Sequence, residues 1–491
     1  MEPFDPRGGL GMSLDVRDIT LRIKEKAVEL GFSAVGVTTS AAVPEGARLR
    51  DWLARGGHAG MAWMNNPEIR EDPTAILPGA RSMVVVGLDC RPPALTMPTA
   101  SEARPKANDC LGAQAPLARL APASEARRTP TLSASLAAGF GRIAAFARRR
   151  DYHKTIGDGL MALLEHARGL VPCRGAVAVD SRPLLERAFA VRAGLGWAGE
   201  SGCVVSEKFG PWLLLGELIL DVDLEYDAPV AGRCPGCGRC AKACPTGAIK
   251  EPGFVDANRC VAYLTIEHKG PIPRDLRASI GDRLFGCDAC QECCVPAGSA
   301  LAIGERSSPK ASAGLGAEGA AGPAGPGAGG FGAVLPAGYP AARLLTMSSG
   351  EFTAEFAGTP VVRTGRVRMA RNAAVVLGNS PGNSGTTALA DALGDTEPIV
   401  RSHAAWALGR HGEARLLEAR LGKEAEPEVR EEIAAAVASL ASGACGTRAS
   451  AGERRAKLAG DPKRIAGRAK LAGDPKRIAG RAKLANGEKR A

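Results

Sequence analysis

"CPGCGRCAKACPTGAI", residues 234–249, is the stretch on which the reading of this chain turns. Cys234, Cys237, Cys240 and Cys244 form a C-x2-C-x2-C-x3-C-P run. Three thiolates at that spacing wrap three irons of a cubane, and the fourth turns toward a second cluster. A zinc ribbon needs only two spaced pairs and gives no reason for the third cysteine or for Pro245. The remaining ligands must come from downstream, where Cys260 stands alone and "GCDACQECC" (286–294) adds Cys287, Cys290, Cys293 and Cys294. Two cubanes take four thiolates each. The block holds nine, so one of the neighbouring pair Cys293 and Cys294 is spare.

The rest of the chain is cysteine-poor: five of the 14 cysteines fall outside this block. With 491 residues, 45% of them hydrophobic, the chain has room for several cored domains. A disulfide scaffold would be short and exported. The N-terminal "MEPFDPRGGLGMSLDVRD" has neither an apolar segment nor a twin-arginine pair, and no run of about 18 apolar residues occurs. A reducing cytoplasm without membrane insertion is the expectation, and there a dense cysteine block binds metal.

Upstream of the block, 13–228 reads as an α/β domain. Residues 13–31 have helical periodicity (Ile19, Ile23, Ala27, Leu30), with Ser13 as cap and Gly31 as stop. "FSAVGVT" (32–38) and "SMVVVGL" (82–88) read as buried strands, 142–167 as one long helix, and 202–206 with 211–220 as a hairpin. A Pro/Ala/Ser-rich insertion occupies about 91–138. "GAVAVD" is a strand ending in Asp180, with a helix from Pro183. The cysteine block makes a ferredoxin-like two-cluster domain over 229–297. Residues 298–340 are a low-complexity linker. Leu377, Leu408 and Leu440 recur at the period of a short α-solenoid, so 341–445 reads as HEAT-like helical repeats. The overall expectation is therefore an α+β multidomain chain. Residues 446–491 form a basic repetitive tail. From 454 onward it carries 13 Lys/Arg against three acidic residues, nearly all of the chain's +11. Such a tail attracts RNA without reading its sequence. Arg363, Arg366, Arg368 and Arg371 on the first repeat are candidate phosphate contacts.

The cysteine block together with "CVAYLTIEHKGPIP" (260–273) resembles the iron–sulfur half of the epoxyqueuosine reductases. "RRDYHKTIG" (149–157) and "VDSRPLLERAFAVRAGLGWAGE" (179–200) resemble that family's N-terminal half, and "EFTAEFAGTPVVRTGRVRMARNAAVVLGN" (351–379) its helical repeats. The resemblance implies a cobalamin enzyme with two 4Fe-4S clusters that reduces epoxyqueuosine to queuosine in the anticodon of tRNA. It also implies an external electron donor and a monomer. By the family's C-D-x-C-Q-x-x-C pattern one cluster takes Cys234, Cys237, Cys240 and Cys294, the other Cys244, Cys260, Cys287 and Cys290. Cys293 is then extra, although Val295, Pro296 and Ala297 depart from what usually follows the last ligand.

Asp180 matches the family's proton donor, and burial beside a corrin would favour its protonated form. Read from the strand alone, Asp180 is a helix cap. Arg70, Val204, Leu215, Thr265 and Lys269 align with cobalamin-contacting positions; otherwise Val204 and Leu215 are core and Lys269 a solvated lysine. Glu200 and Ser201 stand where the family has Lys-Asn. His153 lies in a D-x-H motif whose glycine, Gly157, comes one residue late for a cobalt ligand, so it reads as a helix histidine. Rival readings are a corrinoid reductive dehalogenase, an iron–sulfur electron-transfer protein, and an RNA-binding scaffold with structural clusters.

Overall fold

The computed structural model describes residues 15–92, 139–294, 334–380 and 384–442. Most of the expected insertion and linker, and the whole basic tail, lie outside the described residues. The described residues up to Val437 belong to one compact unit.

Val84, Val85 and Val86 are fully buried in succession. A strand of consecutive β-branched residues must be covered on both faces, and this one is. Helices Val16–Glu29 and Tyr152–Leu170 pack Ile19, Ile23, Ile156, Leu160 and Leu163 on the side of Val84 and Val86. On the other side Met83 and Val85 meet Leu184, Phe189 and Ala190, the last two from helix Glu186–Arg192.

The described strands run β1 (Ala34–Thr39), β2 (Ser82–Asp89), β3 (Phe140–Ile143), β4 (Gly175–Ala178), β5 (Trp197–Ala198), β6 (Val204–Val205), β7 (Leu213–Leu220), β8 (Ile249–Glu251), β9 (Phe254–Val255), β10 (Arg283–Phe285) and β11 (Gly338–Pro340). The main sheet has the order β1-β2-β7-β4. It is layered like an α/β domain, but every neighbouring pair is antiparallel.

Four local expectations change. The 202–206/211–220 hairpin does not form: β6 pairs with β5, while β7 has both edges taken by β2 and β4. The first helix is capped by Asp15, whose carboxylate accepts the Asp18 N–H at 2.7 Å; Ser13 lies outside the described residues. The long helix begins at Tyr152 rather than 142. Arg142 and Ile143, read as the start of that helix, instead belong to strand Phe140–Ile143, which pairs parallel with β10 and antiparallel with β11. Gly338–Pro340 likewise belongs to a sheet and not to a linker. This three-stranded sheet, order β10-β3-β11, ties the acid-bearing domain, the cysteine block and the start of the helical repeats together.

The repeats include helices Gly365–Asn379 and Pro398–His411, with Leu377 and Leu408 fully buried. The four arginines expected on tRNA phosphates are engaged within the protein. Arg371 is fully buried and donates to the carbonyls of His268 (2.7 Å), Gly270 (2.7 Å) and Leu264 (2.7 Å). Arg368 donates to the Ile266 carbonyl at 2.8 Å, Arg366 pairs with Asp395, and Arg363 pairs with Asp151. Arg368 and Arg371 thus satisfy carbonyls of the cysteine block, while Arg363 and Arg366 are held by carboxylates.

Candidate active site and cluster thiols

Asp180 sits two residues past β4 with φ 52°, one of two non-glycine residues in the left-handed region among those described. That conformation costs about 1–2 kcal/mol and collects at functional sites. Ser181 donates its N–H to the Val179 carbonyl across the turn, and the Asp180 N–H donates to Glu186 Oε1 at 2.5 Å. The Asp180 carboxylate is thereby aimed at the start of helix Tyr152–Leu170. There Tyr152 Oη donates to Asp180 Oδ2 at 2.6 Å, and His153 Nε2 lies 3.2 Å from the same oxygen. The other ring nitrogen, His153 Nδ1, is 3.0 Å from Oδ1 of Asp151, the helix cap.

These contacts set the charges of the pair. Burial works against the His153 cation, but hydrogen bonds to Asp151 and Asp180 outweigh it and raise its pKa to about 9. The His153 hydrogen bond, helped by Tyr152, holds Asp180 below the usual carboxylate range. At neutral pH the proton therefore rests on His153 and Asp180 is an anion. His153 is a site residue and not a bystander in a helix. The D-Y-H order was the signal: a cap places the next two side chains beside whatever faces the helix start.

Arg70, nine-tenths buried, gives Nη2 to the Trp63 carbonyl at 2.8 Å, while its buried Nε has no partner. Its backbone carbonyl accepts the Leu185 N–H at 2.9 Å, and its charge is felt by Asp180 and Glu186. Val204 and Leu215 join the apolar cluster that also holds Leu184 and Ala178. Arg70, Asp180, Val204 and Leu215 thus gather around one turn. Thr265 and Lys269 lie on the cysteine block. The Thr265 hydroxyl is fully engaged, donating to the Val261 carbonyl at 2.7 Å and accepting the Gly286 N–H at 2.9 Å, so it stabilises that block and has no proton to offer a ligand. Lys269 is exposed.

The cluster thiols sort themselves by mutual electrostatic repulsion. Burial raises Cys294 to about 11, and its thiol neighbours are Cys293, Cys234, Cys240 and Cys237. Burial also raises Cys290, whose neighbours are Cys203, Cys287, Cys260 and Cys244. These neighbours fall into two groups, and Cys293, which has Cys240 and Cys237 beside it, belongs with the first, so that group holds five thiols. Cys293 Sγ points to the Cys290 carbonyl at 3.5 Å. Buried thiols crowded together without counter-charge resist ionisation, and a bound cationic cluster removes that cost. The donor chemistry fits two clusters.

Fold and site define a class: a two-cluster iron–sulfur protein whose acid-bearing α+β domain is braced by helical repeats. The model described as "4Fe-4S double cluster binding domain" matches residues 233–297, HEAT repeats match 363–438, and "Epoxyqueuosine reductase QueG, DUF1730" matches 70–181. The chain is 35% identical over 401 residues to the epoxyqueuosine reductase of Xanthomonas campestris, covering 81% of this chain and 98% of that one. It is 31% identical over 418 residues to that of Escherichia coli, covering 84% and 95%. A crystal structure of epoxyqueuosine reductase with an epoxyqueuosine-modified tRNA-Tyr stem loop superposes with TM-score 0.68 at 26% identity, over 87% of this chain and 100% of that one. The Bacillus subtilis enzyme, solved with its catalytic aspartate loop swung out of the active site, gives 0.66 at 25% identity, over 86% and 99%. The chain belongs to the epoxyqueuosine reductase family.

Proposed function

We propose that this chain reduces epoxyqueuosine to queuosine at the wobble position of tRNA, the last step of queuosine biosynthesis. The observation that carries the reading is the Tyr152–His153–Asp180 group on its left-handed turn, within a family whose members bear that name. The reaction removes one oxygen: an epoxide, two electrons and two protons become an alkene and water. Two 4Fe-4S clusters would be held by Cys234, Cys237, Cys240 and Cys294 and by Cys244, Cys260, Cys287 and Cys290, and would supply one-electron chemistry between an external donor and the site.

Cobalamin, when bound, supplies a low-potential metal centre that side chains cannot provide. Arg70, with its unsatisfied Nε, is suited to a polar edge of that group. Val204 and Leu215 are suited to its apolar face, and the exposed Lys269 would be a further polar contact. The protein's own part is proton management. His153 holds a proton at Nε2 against Asp180 Oδ2, Tyr152 Oη steadies that oxygen, and Asp180 passes the proton to the departing oxygen. Asp151 keeps Nδ1 protonated, so the imidazole presents Nε2 to Asp180 in a fixed orientation.

The test has two arms. Purified holoenzyme should show the visible spectrum of bound corrin alongside cluster absorption. Asp180→Asn should retain both chromophores and lose on the order of 10²–10⁴-fold in turnover of epoxyqueuosine-tRNA. Turnover within a few-fold of wild type would remove Asp180 from the role, and a corrin-free active enzyme would remove cobalamin.

A further inference from the structure

Asp180 needs something to hold it. A non-glycine residue at φ 52° relaxes to ordinary backbone unless its surroundings over-determine it. The turn's own hydrogen bond, Ser181 N–H to the Val179 carbonyl, is local and travels with the turn. Tyr152 and His153 hold the Asp180 carboxylate, and the bond that fixes its backbone to the body of the domain is the Asp180 N–H to Glu186 Oε1, at 2.5 Å. Glu186 opens helix Glu186–Arg192, whose Phe189 and Ala190 are fully buried against the main sheet. The acceptor is therefore mounted on a rigid element.

Below Glu186 lies a second acid. Glu217, on the central strand β7, is fully buried, pairs across the sheet with Ala178, and has neither carboxyl oxygen hydrogen-bonded. It shares its sheet face with Leu215 and Ile219, in the cluster that holds Phe189. Glu186 and Asp180 both act on it electrostatically, and burial keeps it protonated. Neither oxygen of Glu217 is bonded to Glu186, although the two acids act on each other electrostatically. Burial pushes the Glu186 carboxyl up to about 7, Asp180 adds to that through its charge, and the Asp180 N–H, Arg187 and His153 oppose it. Arg187 turns its Nη1 to the Gly202 carbonyl at 3.0 Å. The Asp180 N–H is the hydrogen-bond donor that Glu186 meets.

We propose that Glu186 is a positioning residue: its Oε1, mounted on the buried helix Glu186–Arg192, accepts the Asp180 N–H and latches that turn so that the proton-donor carboxyl stays aimed at Tyr152 and His153. The proposal rests on the reading of Asp180 as proton donor, but the latch has a readout of its own. Releasing it lets the backbone of 179–185 leave the left-handed turn. Asp180 Oδ2 then loses its two partners on helix Tyr152–Leu170, and fewer molecules are competent at any moment. Substrate binding depends on other surfaces, so the loss falls on kcat.

The experiment compares Glu186→Ala with Glu186→Gln in the holoenzyme. Gln keeps an acceptor oxygen of nearly the same shape; Ala removes it. Hydrogen exchange by mass spectrometry follows the peptide spanning 179–185, and steady-state turnover of epoxyqueuosine-tRNA follows the reaction. Glu186→Ala should speed exchange of that peptide and lower kcat about tenfold each, as expected for one lost hydrogen bond. KM for tRNA should stay within about twofold. Glu186→Gln should restore both protection and kcat to within a few-fold of wild type. Wild-type protection in Glu186→Ala, or a Gln variant as loose as Ala, overturns the latch. A Glu186→Ala defect confined to KM overturns it as well. Full activity of Asp180→Asn would instead overturn the proton-donor reading and leave the exchange result standing.

Discussion

His153→Gln isolates the ion pair at the heart of the site. In the wild type the imidazole bridges Asp151 and Asp180, and its pKa rises from 6.5 to about 9. Undiminished, that shift is worth about 3.4 kcal/mol at about 1.36 kcal/mol per unit. The Asp180 side chain is 59% exposed, however, so solvent screens part of the interaction and about 1–2 kcal/mol is the expected stabilisation. The sign follows from linkage. A histidine raised in the folded state stabilises fully below its unfolded pKa of about 6.5 and ceases to stabilise as pH rises through about 9. Urea unfolding of wild type and His153→Gln at pH 6, 7.5, 9 and 10 should therefore differ by about 1–2 kcal/mol at pH 6 and converge by pH 10. Turnover of the wild type should decline over the same alkaline limb, since the proton store empties there. Parallel stability curves across that range would show that His153 carries no charge between the two carboxylates, and the proton-store argument would fall with it.

Three further outcomes are expected from other parts of the molecule. Arg371→Met should cost about 3–5 kcal/mol in urea unfolding, because it strands the carbonyls of Leu264, His268 and Gly270 in a buried interface; a loss below about 1 kcal/mol would mean water satisfies them. Glu217→Gln should flatten the loss of stability with rising pH. A carboxyl raised well above its unfolded value binds an extra proton when folded, so wild-type stability falls by up to about 1.4 kcal/mol per pH unit above about 4.5; identical slopes in thermal melts at pH 5 and 8 would refute it. Cys293→Ala should keep both clusters by iron content and electron paramagnetic resonance, while Cys294→Ala should lose one, and the reverse result would move the last ligand to Cys293.

Element types were legible wherever burial imposed a period or a run. The helix at 16–29, the valine strand at 82–89 and the paired repeat helices all announce themselves by apolar spacing. What failed was pairing. "RIAAFARRR" has helical composition, yet its first residues lie between β10 and β11, strands 140 or more positions away in sequence, and no local pattern encodes that. The arginines of 363–371 failed for a related reason. A basic helix face reads the same whether it meets phosphates or buried carbonyls, and only the packing of helix Gly365–Asn379 against the cysteine block distinguishes them. At the site, Asp180 was legible through its motif, but its protonation was not. Charge depends on what lies opposite, and the Asp151–Tyr152–His153 cap is brought there by the fold.

The β10-β3-β11 sheet gives that misread segment its purpose. Reduction of an epoxide needs electrons and protons at one carbon–oxygen bond, so the cluster side and the acid side must be held in register. β3 pairs with β10, which runs directly into Gly286 and Cys287, and leads within eight residues to Asp151. Phe146, between them, packs 6.1 Å from Phe285 on the cluster side and 6.1 Å from Tyr152 on the acid side. The space is tight: a Cβ on Gly286 would come within 2.6 Å of the Ala144 Cβ, at a residue whose φ of 71° already favours glycine. The repeats close the frame from the other end, through Arg363 on Asp151 and the Gly358 carbonyl accepting the Asp151 N–H at 2.8 Å. On the proposed reading one short strand carries both the cluster side and the acid side, so loosening it should impair electron and proton delivery together.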